Sequence, residues 1–410
     1  MAVFFQSVWG FEKALSKAAA MNPDRFNKAE AGRVVRTVRG YWAFVPAPLP
    51  PKLQYDAPTV LILSRADAAL SELSGLGRHL PNPHLLIAPY VRREAVLSSR
   101  IEGTQTNLSE LLLEEVEPGL VQQDPDDVRE VRNHVSALEH GIRLLKKLPL
   151  SLRLVREVHA RLMWGVRGEY ATPGEFRRSQ NWIGPGSSTI ETATYVPPPP
   201  EELMDVLGAW EKFINRRDVM PDLVQCALMH EHFEAVHPFL DGNGRVGRLL
   251  ITLFLMERGR LSQPLLYLSA YLEANRQEYY ERLLAVRTGA DFRGWVRFFL
   301  IGVEQTAREA VKRAGTLMDL REKYRRLLTR KAWALALLDE LFVNPYVTVK
   351  RAQRLLKTSN PTARQAVGLL QKAGMLEEST ERAWGKVFVA RSILRAIERP
   401  AVAAAPAGTK

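Results

Sequence analysis

The stretch HPFLDGNGRVGR, His237 to Arg248, gathers one imidazole, one carboxylate, two glycines around an asparagine, and two arginines three residues apart. Each of these types has a use in phosphate chemistry. Arg245 and Arg248 stand i, i+3, so both can face one side of a first helical turn. Two guanidiniums suit two phosphates of a di- or triphosphate. Asp241, just ahead of them, can hold a Mg²⁺ bridging those phosphates. Gly242 and Gly244 let the backbone approach a ligand with no Cβ in the way. His237 is a candidate base, since an imidazole with an ordinary pKa of about 6.5 suits proton abstraction. The plainer reading is a glycine-rich turn between packed helices, with arginines on the surface. The whole string favours phosphate, because every residue in it has its own chemical reason to be there.

The flanking segments must position this loop. LVQCALMHEHFEAV reads as a helix packed on both sides. Pro238 disfavours α conformation in the residue before it, so His237 belongs at the helix exit. DGNG is a turn, and RVGRLLITLFLME starts the next, mostly buried helix. The loop therefore feeds a helix N-terminus, where free N–H groups and the positive end of the dipole favour an anion. Other phosphate and metal patterns fail on spacing. GPGSST at 184–189 lacks the lysine of a P-loop, and Glu234 stands where H-E-x-x-H needs its second histidine. His230 and His232, two apart on a helix, diverge and read as packing or supporting residues.

The chain has 410 residues and one cysteine, Cys226. An internal disulfide is excluded, and the cytoplasm is the expected compartment. No basic region followed by an apolar run opens the sequence, and no stretch reaches the ~18 apolar residues of a membrane span. The net charge of +12 is unevenly placed. Residues 1–310 hold 37 basic and 37 acidic side chains, whereas 311–410 hold 20 and 8. That asymmetry points to an anionic partner for the last quarter, nucleic acid first, or to a solvated basic helix.

The expected fold is mainly α. Residues 1–60 read as an irregular leader with a short β element in GRVVRTVRGYWAFV. Helical periodicity covers about 60–165, and helices return at 201–215, 221–236, 245–258 and 265–315. Between them NWIG and TATYV flank a Gly/Ser/Thr turn and read as a β-hairpin over 182–196. Helix–helix–helix–hairpin from about 330 is the outline of a winged helix-turn-helix, with Thr348 and Ser359 as helix caps. Domain boundaries are expected at 1–110 for an N-terminal region, 111–315 for a helical catalytic domain, 316–398 for the winged helix and 399–410 for a disordered tail.

HPFLDGNGRVGR resembles the signature of Fic-domain proteins, HxFx(D/E)GNGRxxR, at every fixed position. YVPPPP, the NWIG segment and HEHFEAVHPF resemble Fic neighbourhoods, while FVPAPLPP and REAVLSSRIEGT resemble the N-terminal region joined to many bacterial Fic domains. The resemblance spans about residues 40–310, and the tail resembles, more loosely, a winged-helix module often appended to them. It implies a protein adenylyltransferase, a nucleotidyltransferase that moves AMP from ATP to a Ser, Thr or Tyr hydroxyl. His237 would be the base, Asp241 the Mg²⁺ ligand, and Asn243 with the Gly242–Gly244 amides the anion hole. Arg245 and Arg248 would bind the β- and γ-phosphates, and Tyr280 would lie near the adenine. A kinase-like branch of the family carries lysine where this chain has Gly244, so glycine argues for the nucleotidyl orientation. The hairpin would be a flap to which an extended target segment adds by backbone pairing.

SSRIEG at 98–103 matches the family's inhibitory pattern through Ser98, Glu102 and Gly103. Ser98 and Glu102 are i, i+4 and share a helix face. The resemblance implies that Glu102 pairs with Arg248 and removes the cation meant for the γ-phosphate. In the tail, Arg364, Gln365 and Lys372 would belong to a recognition helix, with Lys350, Arg351, Arg354 and Lys357 on the helix before it. DNA contact through residues 332–391, or a protein-interaction role, both fit such a module, and a homodimer is a fair prior. Two other functions stay open. One is a Fic enzyme that uses another nucleotide such as UTP, or removes AMP with water. The other is a DNA-binding regulator that only senses nucleotide, against which the intact His237 argues.

Overall fold

The computed structural model describes residues 21–79, 84–121, 124–166, 172–184, 188–328, 331–380, 382 and 385–398. Most of the expected leader's first third and the expected tail at 399–410 lie outside them. The fold is mainly helical, with two small antiparallel sheets.

The β element expected in the leader is a hairpin of β1 (Gly32–Arg36) and β2 (Trp42–Pro46), in register from Gly32 opposite Pro46 to Arg36 opposite Trp42. Five helices follow: α1 (Ala57–His79), α2 (His84–Ile101), α3 (Leu108–Glu114), α4 (Pro125–Leu145) and α5 (Leu152–Leu162). Asp124 and Ser151 cap α4 and α5 through side-chain oxygens that accept from Asp126 and Leu154 amides. Of the hairpin expected at 182–196, the described residues form one antiparallel bridge, Ile183 with Tyr195, and otherwise turn. Its base is fixed by an aromatic trio, Phe26, Phe44 and Tyr195, with ring centroids 5.5–6.1 Å apart.

The proline run then feeds α6 (Pro200–Ile214), followed by α7 (Asp222–Val236) and α8 (Asn243–Glu257). Both α7 and α8 are buried nearly all round, which explains their lack of a polar face and makes them the centre of the bundle. Their apolar side chains each contribute about 1.5–3 kcal/mol by leaving water. The single helix expected over 265–315 is three, α9 (Ser269–Ala274), α10 (Arg276–Gly289) and α11 (Phe292–Leu327), and residue 316 lies inside the last. Ala290, in left-handed conformation at φ 55°, ends α10, and Asp291 caps α11.

The last part comprises α12 (Ala332–Val343), β3 (Tyr346–Thr348), α13 (Val349–Leu356), α14 (Asn360–Lys372), β4 (Glu377–Glu378), β5 (Val387–Val389) and α15 (Arg391–Glu398). Its sheet runs in the order β3-β5-β4. Thr348 caps α13 by accepting the Arg351 amide at 3.1 Å. Ser359 stands at the cap position of α14, but its hydroxyl bonds Thr362 instead of a backbone amide. This part packs on α2, α3 and α11, and one hydrophobic cluster runs from α1 through α15. Tyr346 meets Ser109 at 2.6 Å, Asn344 donates to the Leu112 carbonyl and Arg351 to that of Glu115. No helix among the described residues is long and apolar enough to cross a membrane.

Candidate active site

His237 ends α7 in left-handed conformation, φ 48° and ψ 61°, because Pro238 stops the helix. Its carbonyl accepts from Arg177 Nε and Asn181 Nδ2, both at 3.0 Å. Arg177 also takes the Pro198 carbonyl, and Asn181 takes that of Phe239 at 2.8 Å. The short segment 174–181 is thus a cradle that offsets the cost of an unusual backbone at the base. Desolvation, aided by the Arg287 and Arg177 cations and opposed by Glu102, brings the His237 pKa down to about 3. The imidazole is neutral at pH 7.

Gly242, at φ 76°, turns the chain into α8. The opening N–H groups of that helix have no intrahelical partners. Asn243 does not offer its side chain to an anion. Its Oδ1 accepts the Phe239 amide at 2.8 Å and its Nδ2 donates to the Phe239 carbonyl at 2.9 Å. The asparagine staples the loop closed. Asp241 is half-buried, and its Oδ1 accepts the Gly242 amide.

The two arginines diverge, although i, i+3 spacing allowed them to converge. Arg245 donates to Glu130 of α4 at 2.9 Å and lies 3.7 Å from Asp241. Arg248 turns to the other side. Its Nε donates to the Ser98 hydroxyl at 2.9 Å, and a terminal nitrogen donates to the Ser98 carbonyl at 3.0 Å and to Glu102 at 2.7 Å. Glu102 lies just beyond the end of α2, before Gly103 at φ 103°. A Cβ on Gly244 would stand 2.3 Å from Glu102 Oε1, so the carboxylate rests against the first turn of α8. Desolvation opposes ionisation of Glu102, but the Arg248 and Arg245 cations outweigh it and hold the carboxyl below its ordinary value.

Below the arginines lie buried polar groups. Glu234 is raised to about 7 by burial, against the pull of Arg248, and a Cβ on Gly247 would meet its Oε1 at 2.5 Å. His230 bonds the Tyr279 hydroxyl at 2.9 Å, so it supports the core and His232 is buried beside it. Tyr279 packs on Trp295, whereas Tyr280 stays half-buried within electrostatic reach of Glu102.

Sequence reasoning missed Glu130, His159, Arg177 and Asn181. The last two fall in the longest non-helical stretch, where PGEFRRSQN carries buried-capable polar groups without periodicity. That was the available signal.

A helix N-terminus with two buried arginines, a neutral imidazole and a glycine-lined loop has the physical character of an anion site. Residues 61–143 match the Fic/DOC family N-terminal profile and residues 149–255 the Fic/DOC family profile. Over those two stretches the chain is similar to Fic/DOC family proteins. Two proteins called protein adenylyltransferase Fic, from Drosophila erecta and Drosophila grimshawi, are 28% and 30% identical to it over 165 residues. Those residues are 40% of this chain and 30% of each relative, so the match spans under a third of their length. A solved Fic family protein from Desulfovibrio desulfuricans G20 shares the fold with a TM-score of 0.56. It is 20% identical, over 83% of this chain and 98% of that one.

Proposed function

We propose that the chain is a nucleotidyltransferase moving AMP from ATP to a Ser, Thr or Tyr hydroxyl of a target protein, and that Glu102 holds it off. The observation that carries this reading is Arg248, a cation in the second turn of α8 that already grips a carboxylate. A triphosphate needs the same place. With Glu102 withdrawn, neutral His237 takes the proton of the target hydroxyl. The oxygen then bonds to the α-phosphorus, the bond to the bridging oxygen of the β-phosphate breaks, and pyrophosphate leaves. Amides of Gly242–Gly244 and the Arg248 guanidinium neutralise the growing charge, with positioning supplying most of the rate. Arg245 adds its charge from behind while tied to Glu130.

Asp241 is the residue that would hold Mg²⁺. One half-exposed carboxylate, with no group of three or more His, Cys, Asp or Glu among the described residues, suits an ion that takes most of its ligands from phosphates and water. Bound there, Mg²⁺ would draw charge from the α- and β-phosphates. An extended target segment would pair along 182–196, and Tyr280 would flank the adenine. The test incubates wild type, Glu102→Gly and His237→Ala with labelled ATP, UTP and CTP plus Mg²⁺. Protein-bound label from ATP that requires His237 supports the reading. Label from UTP or CTP alone, or none, rejects it.

The C-terminal part is proposed as a winged helix that contacts DNA. Lys350 and Arg354 on α13, Lys357 at its C-cap, and Arg364, Gln365 and Lys372 on α14 are each exposed. By contrast Arg321, Arg325 and Arg326 on α11 are paired with Asp339 and Glu322, as a solvated connector would be. A mobility shift absent even at low salt would remove the DNA reading.

A further inference from the structure

The catalytic loop has an anchor outside its own motif. His159, near the end of α5, is fully buried. Its Nδ1 accepts the Gly174 amide at 2.8 Å, and its Nε2 lies 3.0 Å from the Asp241 carbonyl. A neutral imidazole that accepts on Nδ1 carries its proton on Nε2, so Nε2 donates to Asp241. The ring also lies flat on Phe239, with centroids 3.7 Å and planes 4° apart. At Gly242, a Cβ would stand 3.6 Å from the ring's Nε2 and Cδ2. One side chain therefore touches the loop at Phe239 and Asp241 and lies beside Gly242.

We propose that His159 is a positioning residue of the transfer reaction, setting the loop 239–242 so that the Asp241 carboxylate and the amides ahead of α8 face the phosphates together. The inference rests on the AMP-transfer reading. Through Gly174 the same imidazole fastens the loop to the segment 174–181, whose Arg177 and Asn181 hold the His237 carbonyl. The base and the phosphate end thus hang on one frame, and displacement of such groups by about 1 Å can cost on the order of a hundredfold in rate. Packing alone does not call for histidine here. A phenylalanine would stack on Phe239 as well, whereas both ring nitrogens are used. His134 makes the contrast, equally buried on α4 with neither ring nitrogen hydrogen-bonded among the described residues.

Three variants in the Glu102→Gly background separate the contacts. His159→Gln keeps a donor for Asp241, His159→Asn keeps an acceptor for Gly174, and His159→Phe keeps only the stacking. With ATP and Mg²⁺, kcat falls about a hundredfold in His159→Phe, about tenfold in His159→Asn and under about threefold in His159→Gln, while KM for ATP moves little. Amide exchange at 239–242 in nucleotide-free protein speeds up by about tenfold in His159→Phe and His159→Asn but not in His159→Gln. Unchanged kcat in a folded His159→Phe overturns the inference, and so do equal losses in the Gln and Asn variants alongside a lowered Tm. If the Glu102→Gly parent transfers no AMP, the reaction reading fails. The exchange measurement then decides alone, unchanged exchange in His159→Phe refuting the anchor and raised exchange sustaining it.

Discussion

Arg245 and Arg248 sit on the first two turns of one helix, each 3% exposed, and each meets a carboxylate. The two partners differ. The Glu130 side chain is 9% exposed and belongs to α4, whose backbone is fixed by its own helix. The Glu102 side chain is 30% exposed and follows the last turn of α2, beside a glycine in left-handed conformation. If Glu130 were lost, Arg245 would keep Asp241, at 3.7 Å, and the Met163 Sδ, at 3.9 Å. If Glu102 were lost, Arg248 would keep both oxygens of Ser98. One pair lies wholly inside the fold, and the other stands at a helix end, which is why the proposed exchange for a phosphate is placed there.

The largest effect tests whether the exchangeable side leads to chemistry at all. Adding His237→Ala to the Glu102→Gly protein lowers AMP transfer by about a thousandfold or more, the scale of a lost general base. Residual label above a few per cent of the parent would mean that another group takes the proton. Next, Glu130→Ala leaves a buried guanidinium short of its partner and costs about 3–5 kcal/mol in denaturant unfolding. Glu102→Ala costs under about 1 kcal/mol in the same measurement, as partly exposed pairs do. Equal losses would erase the distinction between the two sides. Third, Glu102→Gly increases AMP transfer and self-modification by about tenfold or more, since the competing carboxylate is gone. Unchanged transfer with unchanged ATP binding would refute the switch.

The smallest effect is on pH dependence, and it sharpens what surrounds both arginines. Burial, then the Arg248 and Arg245 cations, lowers the His134 pKa to about 3. An unfolded histidine takes its proton near pH 6.5, whereas the folded one refuses it until about pH 3. The unfolded state therefore binds more protons in that window, and stability falls as pH drops from about 6.5, by up to about 1.4 kcal/mol per unit for one such group. His134→Leu should flatten that slope in thermal unfolding at pH 4–7. An unaltered slope would place the acid sensitivity elsewhere, for instance at His230 or His237, whose pKa values burial also lowers to about 3.

Much of the arrangement was legible in the sequence because it is local. Pro238 fixes the end of α7, Gly242 the turn into α8, and Thr348 the start of α13. The i, i+4 spacing of Ser98 and Glu102 already put a hydroxyl and a carboxylate on one face. What was not legible is pairing across long sequence distance. Glu130 lies 115 residues before Arg245, and His159 lies 82 before Asp241. No spacing rule links them until α4 and α5 are folded against α8. Asn243 misled for a related reason. Its amide has both a donor and an acceptor, and the closed loop offers it both at Phe239, so the turn consumed a group that composition alone left available.

The hydrophobic cluster that runs unbroken from α1 to α15 makes the C-terminal part something other than a pendant. Asn344 and Arg351 grip the Leu112 and Glu115 carbonyls, and Arg92 of α2 holds the Glu115 carboxylate at 2.8 Å. The helix that ends beside the Glu102–Arg248 pair thus also packs against the last part. Within this chain the last part and the helices it covers share one close-packed core, so a change of volume on either side of the seam is felt on the other.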